Sequence, residues 1–205
     1  MSCHAQYPLG VFDSGVGGLT VASAIRHVLP DERIIYFGDL AHLPYGDKSS
    51  HAIQHYSVKI ADFLLENHCK LILIACNTAS AHAYEKVREH IGEQAIVLNV
   101  IDPVVEYVVN KGFTQIGIIG TKGTIQSGVY PLKIKQASAH ANVFSLATPL
   151  LAPMIEEGFV YDDISNAIIR AYLSQQPQFA QLDCLILGCT HYPVVLDKSR
   201  FSSKT

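Results

Sequence analysis

Seven short runs rich in Val, Ile and Leu, alternating with longer amphipathic segments, constrain this chain more than any other feature. Apolar runs of four to six residues suit strands buried on both faces, and the segments between them suit helices that cross over to the next parallel strand. The pattern is that of an α/β protein. Strands are expected at Leu9–Phe12, Arg33–Phe37, Leu71–Ala75, Ile96–Val100, Gln115–Ile119, Asn142–Leu146 and Cys184–Leu187. Helices are expected at Leu19–Leu29, Ser49–Asn67, Ala79–Ile91, Pro103–Lys111, Ser127–Ala139 and Asp162–Ser174.

The pattern also repeats. Leu9-Gly-Val-Phe-Asp-Ser-Gly-Val resembles Ile116-Gly-Ile-Ile-Gly-Thr-Lys-Gly at an offset of 107, and the strand at Ile34 has a counterpart near Val143 at 109. Leu71-Ile-Leu-Ile-Ala-Cys-Asn-Thr matches Leu185-Ile-Leu-Gly-Cys-Thr, with Cys76 and Cys189 offset by 113. Three ordered matches predict two similar halves, residues 1–102 and 103–205, divided at the turn Ile101-Asp102-Pro103. The second half is shorter: Asp102 lies 26 residues beyond Cys76, whereas 16 residues follow Cys189. The tail from Asp197 to Thr205 is polar without helical periodicity and reads as a loose terminus.

With 49% hydrophobic and 16% charged residues in 205, the chain can bury a substantial core. A formal charge of −3 without a basic run gives no footprint for nucleic acid or a membrane surface. No export signal and no membrane-spanning stretch is legible, so a cytoplasmic location is expected. Five cysteines, Cys3, Cys69, Cys76, Cys184 and Cys189, contain no CxxC pair, which argues against a disulfide scaffold or zinc ribbon. His51 and His55 share a helical face but lack the glutamate of a zincin, so no metal site is expected.

Ligands of an open α/β sheet bind beyond the carboxyl ends of the strands. Cys76 and Cys189 both sit there, each followed by small polar residues suited to capping a helix, Asn77-Thr78 and Thr190-His191. Backbone N–H groups at such a turn favour anions, and can lower a thiol pKa or hold a carboxylate. One such cysteine alone reads as a small core hydrophobe. Two at equivalent strand ends suit a reaction in which one thiolate removes a proton from carbon and a second thiol delivers one, that is, racemisation or epimerisation. Acyl transfer, decarboxylation or a Cys-His hydrolase would leave the second cysteine unexplained. Cys69 and Cys184 read as core.

Asp13 opens a glycine-rich loop whose spacing fits neither GxGxxG nor a P-loop. It suits an ammonium group or a catalytic thiol as partner, or else caps the following helix. Asp39, His42 and Pro44-Tyr45-Gly46 should reach the same strand-end region. Thr121, Thr124 and Ser127 offer hydroxyls to a ligand or to a helix cap. His55, His68, His82 and His90 read as solvated or locally satisfied.

Together six motifs resemble the glutamate racemases: Val11-Phe-Asp-Ser-Gly-Val-Gly-Gly-Leu-Thr20, Tyr36-Phe-Gly-Asp39, Leu43-Pro-Tyr-Gly46, Ala75-Cys-Asn-Thr-Ala-Ser80, Gly120-Thr-Lys-Gly-Thr124 and Leu187-Gly-Cys-Thr-His-Tyr-Pro193, running from about residue 8 to 196. The resemblance implies two pseudo-symmetric flavodoxin-like αβα domains with the active site in the cleft between them. It implies no cofactor, glutamate as substrate, D-glutamate supplied for peptidoglycan, and leaves a homodimer open. By the same resemblance Cys76 and Cys189 are the proton donors and acceptors, Asp13 assists the first, and His191, supported by Glu156, assists the second. Asp13, Ser14, Tyr45, Gly46, Asn77, Thr78, Thr190 and His191 hold the substrate.

Alternatives are a related two-thiol racemase acting on aspartate, or a non-catalytic relative that keeps only the fold. Leu43–Gly46 and Cys189–Pro193 favour glutamate. Two departures from the family pattern stand out. Thr148-Pro-Leu-Leu151 replaces a frequent Cys-Pro, and family members typically continue for roughly fifty more residues that complete the sheet. These 205 residues are therefore expected to show low stability or impaired activity.

Overall fold

The computed structural model describes residues 6–160 and 163–195. Cys3, Asp162 and the polar tail at 197–205 lie outside the described residues. The chain divides into two compact units, Met1–Pro103 and Val104–Thr205.

In the first unit, β1 (Leu9–Asp13), β2 (Ile34–Gly38), β3 (Leu71–Ile74) and β4 (Ile96–Asn99) form a parallel sheet in the order β2-β1-β3-β4. Every residue of β1 is buried, as a strand flanked on both edges and covered on both faces must be. β4 alternates exposed and buried residues and leaves Ile96 and Leu98 in solvent, the pattern of an edge covered on one face. The connecting helices are α1 (Leu19–Val28), α2 (Ser50–Glu66) and α3 (Asn77–Ile91). Ser49 caps α2 by accepting from Ala52 N–H at 3.2 Å. Ile53, Ile60 and Leu64 of α2 and Ala83, Val87 and Ile91 of α3 share one core with Phe12, Ile72 and Ile74. α4 (Ile101–Asn110) crosses from the first unit to the second and starts before Pro103, which sits in its first turn. Asn99 caps that start, accepting from Ile101 N–H and Asp102 N–H at 2.9 Å each.

In the second unit, β5 (Gln115–Gly120), β6 (Asn142–Ala147) and β7 (Cys184–Gly188) form a parallel sheet in the order β6-β5-β7. The sequence repeat is built into the ladders. Leu9 pairs with Ile34 and Leu71, and Ile116 pairs with Val143 and Cys184, reproducing the offsets of 107, 109 and 113. Cys76 and Cys189 therefore each lie five residues past equivalent rungs, just beyond the end of the strand on the same side of the central one.

The helix expected over 127–139 is α6 (Val129–Ala137), and a short helix not expected from the sequence, α5 (Lys122–Gln126), precedes it. Gly128 between them adopts φ +65°, a left-handed conformation that breaks helical continuity and that glycine adopts without steric cost. Two further helices, α7 (Leu151–Glu156) and α8 (Asp163–Leu173), complete the described elements apart from short 3-10 turns. Among the described residues, no helix is long and apolar enough to cross a membrane.

Gly38, at the end of β2, is required by close approach. A Cβ there would lie 2.4 Å from the carbonyl oxygen of Gly15, a backbone atom that cannot move without displacing the loop after β1. Gly38→Ala should destabilise the protein by roughly 1–3 kcal/mol through overpacking. A thermal melt checks this: an unchanged midpoint would show that the loop yields freely.

Candidate active site

Chemistry-bearing side chains gather at the carboxyl ends of the strands in each unit. In the first, Cys76 follows β3 and is itself the N-cap of α3, its Sγ accepting from Ala79 N–H at 3.4 Å. Asn77 and Thr78 thus form the first turn and do not cap it. The thiol donates toward Ser14 Oγ at 3.6 Å, and Ser14 sits in the loop after β1. Burial, and then the charge of Asp13, push the Cys76 thiol up to about 11 from an ordinary 9.0; the Ala79 N–H and Ser14 pull the other way and lose. The expected lowering by the helix start is overturned because desolvation outweighs it. Cys76 is a protonated thiol at neutral pH and needs a base beside it to become a nucleophile or proton acceptor.

Asp13 is completely buried and its Oδ1 accepts from Gly15 N–H at 2.8 Å. It does not cap α1; Gly18 occupies that position without a side-chain bond. The loop around Asp13 is pinned to β2 by Tyr36, whose hydroxyl donates to Gly15 O at 2.8 Å. Burial, followed by the charges of Asp13 and Cys76, pushes the Tyr36 phenol well above its ordinary value and keeps it a neutral donor. Asp39 follows β2, buried, and accepts from the Tyr45 hydroxyl at 2.6 Å while its other oxygen lies 2.8 Å from His42 Nδ1. The Tyr45 phenol is therefore committed to Asp39, and what Tyr45 and the partly exposed Gly46 can offer a ligand is backbone.

In the second unit, Cys189 follows β7, 7% exposed, with His191 Nδ1 3.5 Å from its Sγ. His191 Nε2 lies 3.0 Å from Glu156 Oε1 at the end of α7, an ion-pair distance without the alignment of a hydrogen bond. Thr190 and His191 were expected to cap a helix. They precede only a 3-10 turn at Tyr192–Val194 among the described residues, and His191 caps it with no side-chain bond. Thr121 caps α5, accepting from Thr124 N–H at 3.2 Å, so its hydroxyl serves the helix.

The profile of the Asp/Glu/Hydantoin racemase family matches residues 19–203. A glutamate racemase from Geobacter metallireducens is 43% identical over 190 residues, covering 91% of this chain and 68% of that one. The chain belongs to the glutamate racemases of this family.

A glutamate racemase from Thermus thermophilus is likewise 43% identical over 186 residues, with 68% of its length covered. Among solved structures, the glutamate racemase of Francisella tularensis in complex with D-glutamate superposes with a TM-score of 0.86 at 43% identity, covering 93% of this chain and 71% of that one. An aspartate racemase from Picrophilus torridus superposes at 0.71 with 17% identity, which shows the shared fold alone.

Within this racemase chain, the first unit brings together Asp13, Ser14, Cys76, Asn77 and Thr78, and the second brings together Cys189, Thr190, His191 and Glu156. Asn77, Thr78 and Thr190 are buried, Ser14 is partly exposed and Glu156 is exposed. Sequence reasoning gave no role to Tyr36, Thr148 or Tyr192, although each lies within or beside a recognised motif; only their long-range hydroxyl bonds reveal what they do. Cys69 is core as expected, whereas Cys184 at the start of β7 is partly exposed. His51 and His55 on α2 are exposed, and the described residues contain no group of three or more metal-ligating side chains. His82 and His90 on α3 find partners on α2, not locally in the chain: Ser50 Oγ at 2.9 Å and Asp62 Oδ1 at 2.7 Å.

Proposed function

We propose that the protein interconverts L- and D-glutamate by proton transfer at Cα between Cys76 and Cys189, in the bacterial cytoplasm and without a cofactor, supplying D-glutamate for peptidoglycan. The observation that carries this reading is that the two thiols follow equivalent strands of two repeated sheets, each five residues past a matching rung and each with polar or charged groups beside it. One thiolate removes the α-proton of the substrate, leaving a carbanion, and the other thiol donates its proton to the opposite face. Each direction of reaction begins with a different thiolate.

The assisting groups differ. Asp13 charges the environment of Cys76, and His191 with Glu156 beside it serves Cys189. Unequal surroundings suit a pair in which one thiol must be deprotonated while the other is protonated. Ser14, Asn77, Thr78 and Thr190, with backbone groups at Tyr45 and Gly46, supply hydroxyl, amide and N–H donors for the two substrate carboxylates.

The test is racemisation of L-glutamate in deuterium oxide, followed by circular dichroism with mass measurement of the product. Inversion with one deuterium entering at Cα is expected. A folded protein that neither inverts nor exchanges the α-proton would refute the proposal, and inversion of aspartate in preference to glutamate would redirect it to the related racemase activity.

A further inference from the structure

Thr148 lies one residue past β6 and is 1% exposed. Its backbone N–H extends the β5–β6 ladder by donating to Gly120 O at 2.8 Å, and its hydroxyl lies 3.2 Å from the same carbonyl oxygen. Thr148 Oγ1 is also 2.7 Å from the hydroxyl of Tyr192, which lies 3.2 Å from Thr148 O. Two proton arrangements fit these distances: Thr148 donates to Gly120 O while Tyr192 donates to Thr148 Oγ1, or Thr148 donates to the Tyr192 hydroxyl while Tyr192 donates to Thr148 O; both join Thr148 to Tyr192. Tyr192 is completely buried, and burial followed by the neighbouring Cys189 drives its phenol far above the ordinary value, so it stays a donor.

Tyr192 belongs to the turn that carries the second thiol. Its N–H donates to Cys189 O at 3.2 Å, and Val194 N–H donates to His191 O at 3.1 Å. The hydroxyl pair therefore ties the segment holding Cys189 and His191 to the end of the β5–β6 ladder. The first unit has a similar tie at the matching rung. Asp39, one residue past β2, donates its N–H to Asp13 O at 3.0 Å and accepts from the buried Tyr45 hydroxyl. The two tyrosines occupy unrelated places in the repeat, so the tie is made in both units from different sequence.

We propose that Thr148 is a positioning residue for the second thiol, holding Cys189 and His191 in place through the Tyr192 hydroxyl. This rests on the two-thiol reading of the reaction. Thr148 touches no reacting atom; it acts through Tyr192 and the turn.

Thr148→Val removes the hydroxyl at nearly constant shape. Two readouts separate positioning from general loosening. The first is alkylation of each cysteine by iodoacetamide, followed by peptide mass spectrometry, which requires no turnover. Cys189 labelling should rise at least about threefold, while Cys76 labelling stays within about 1.5-fold. The second is kinetic. kcat should fall roughly ten- to hundredfold with KM within about threefold, as for a misplaced catalytic group.

Because the enantiomers are equal in energy, kcat/KM must fall equally in both directions. The primary isotope effect need not. With Cα-deuterated substrate it should rise for the enantiomer deprotonated by Cys189 and fall for the other. Thr148→Ser should restore wild-type behaviour, Tyr192→Phe should reproduce the defect, and the double variant should cost no more than the larger single one. Should Thr148→Val not fold, Tyr192→Phe and Thr148→Ser carry the same comparison. Unchanged Cys189 labelling in the folded variant that lacks the hydroxyl pair would overturn the proposal, as would isotope effects that move together. Absence of inversion by the wild-type protein would instead refute the racemase reading, and the labelling comparison would still decide the role of Thr148.

Discussion

Replacing Cys76 with serine is expected to reduce glutamate racemisation by roughly a hundredfold to ten-thousandfold, the usual worth of a positioned proton-transfer group, while leaving the fold intact. The second half of that expectation comes from the helix. Cys76 is the N-cap of α3, and its sulfur accepts from Ala79 N–H at a long 3.4 Å. Serine is among the best N-cap residues, so the substitution keeps the capping bond and should hold or raise the melting temperature. Alanine at the same position would lose both the thiol and the cap, costing about 0.5–2 kcal/mol. Serine therefore separates chemistry from stability.

Cys189→Ser should abolish inversion to a similar extent, because each thiol is required once in every turnover. Deuterium exchange at Cα distinguishes the two variants: each should lose exchange from the enantiomer whose proton its missing thiolate removes. Racemisation by either serine variant within tenfold of wild type, with the melt unchanged, would rule out that thiol as a proton-transfer group.

The parts of the molecule legible in sequence are those set by local pattern. All seven strands lie within a residue or so of the positions given by their apolar runs, since even the partly exposed edge strands keep an apolar run between polar or turn residues. The repeat offsets survive as ladder registers for the same reason. The helix ends were less legible. α3 begins at Asn77 and not at Ala79 because a cysteine caps it, a role that capping preferences do not suggest. α6 begins two residues later than expected, at Val129, because Gly128 before it is left-handed, and the five-residue α5 ahead of it is too short to show a period.

The short helix α7, which carries Glu156, escaped a reading based on periodicity because six residues hold less than two turns. For the site, motif recognition named the candidate proton-transfer groups, whereas the ties around them join residues far apart in sequence. Tyr36 reaches Gly15 across 21 positions and Thr148 reaches Tyr192 across 44. The raised thiol of Cys76 was likewise hidden, since it depends on burial that no strand-end pattern reports.

Asp13→Asn should lower racemisation while making Cys76 more reactive, and the opposite signs are what identify Asp13 as a base. The carboxylate is fully buried, and its charge is the second cause, after desolvation, of the elevation of the Cys76 thiol to about 11. Asparagine keeps an oxygen able to accept from Gly15 N–H, so the loop after β1 retains its anchor. Removing the charge leaves desolvation in place but relieves the repulsion, so Cys76 ionises at a lower pH than in the wild type. Alkylation of Cys76 near pH 9 should accelerate at least about threefold. Turnover should nevertheless fall by roughly a hundredfold or more, because the amide cannot accept the thiol proton during the reaction.

The same charge has a sign in stability. A thiol whose folded pKa lies above its ordinary 9.0 favours the folded state fully below that value, and this contribution is lost as pH rises toward about 11. Wild-type protein should lose stability across that window, and Asp13→Asn should lose less of it there, because its folded thiol titrates closer to the unfolded value. Denaturant melts at pH 8 and pH 10.5 measure the difference. If Asp13→Asn slows both turnover and alkylation, the carboxylate is holding the loop in place and is not serving as the base for Cys76.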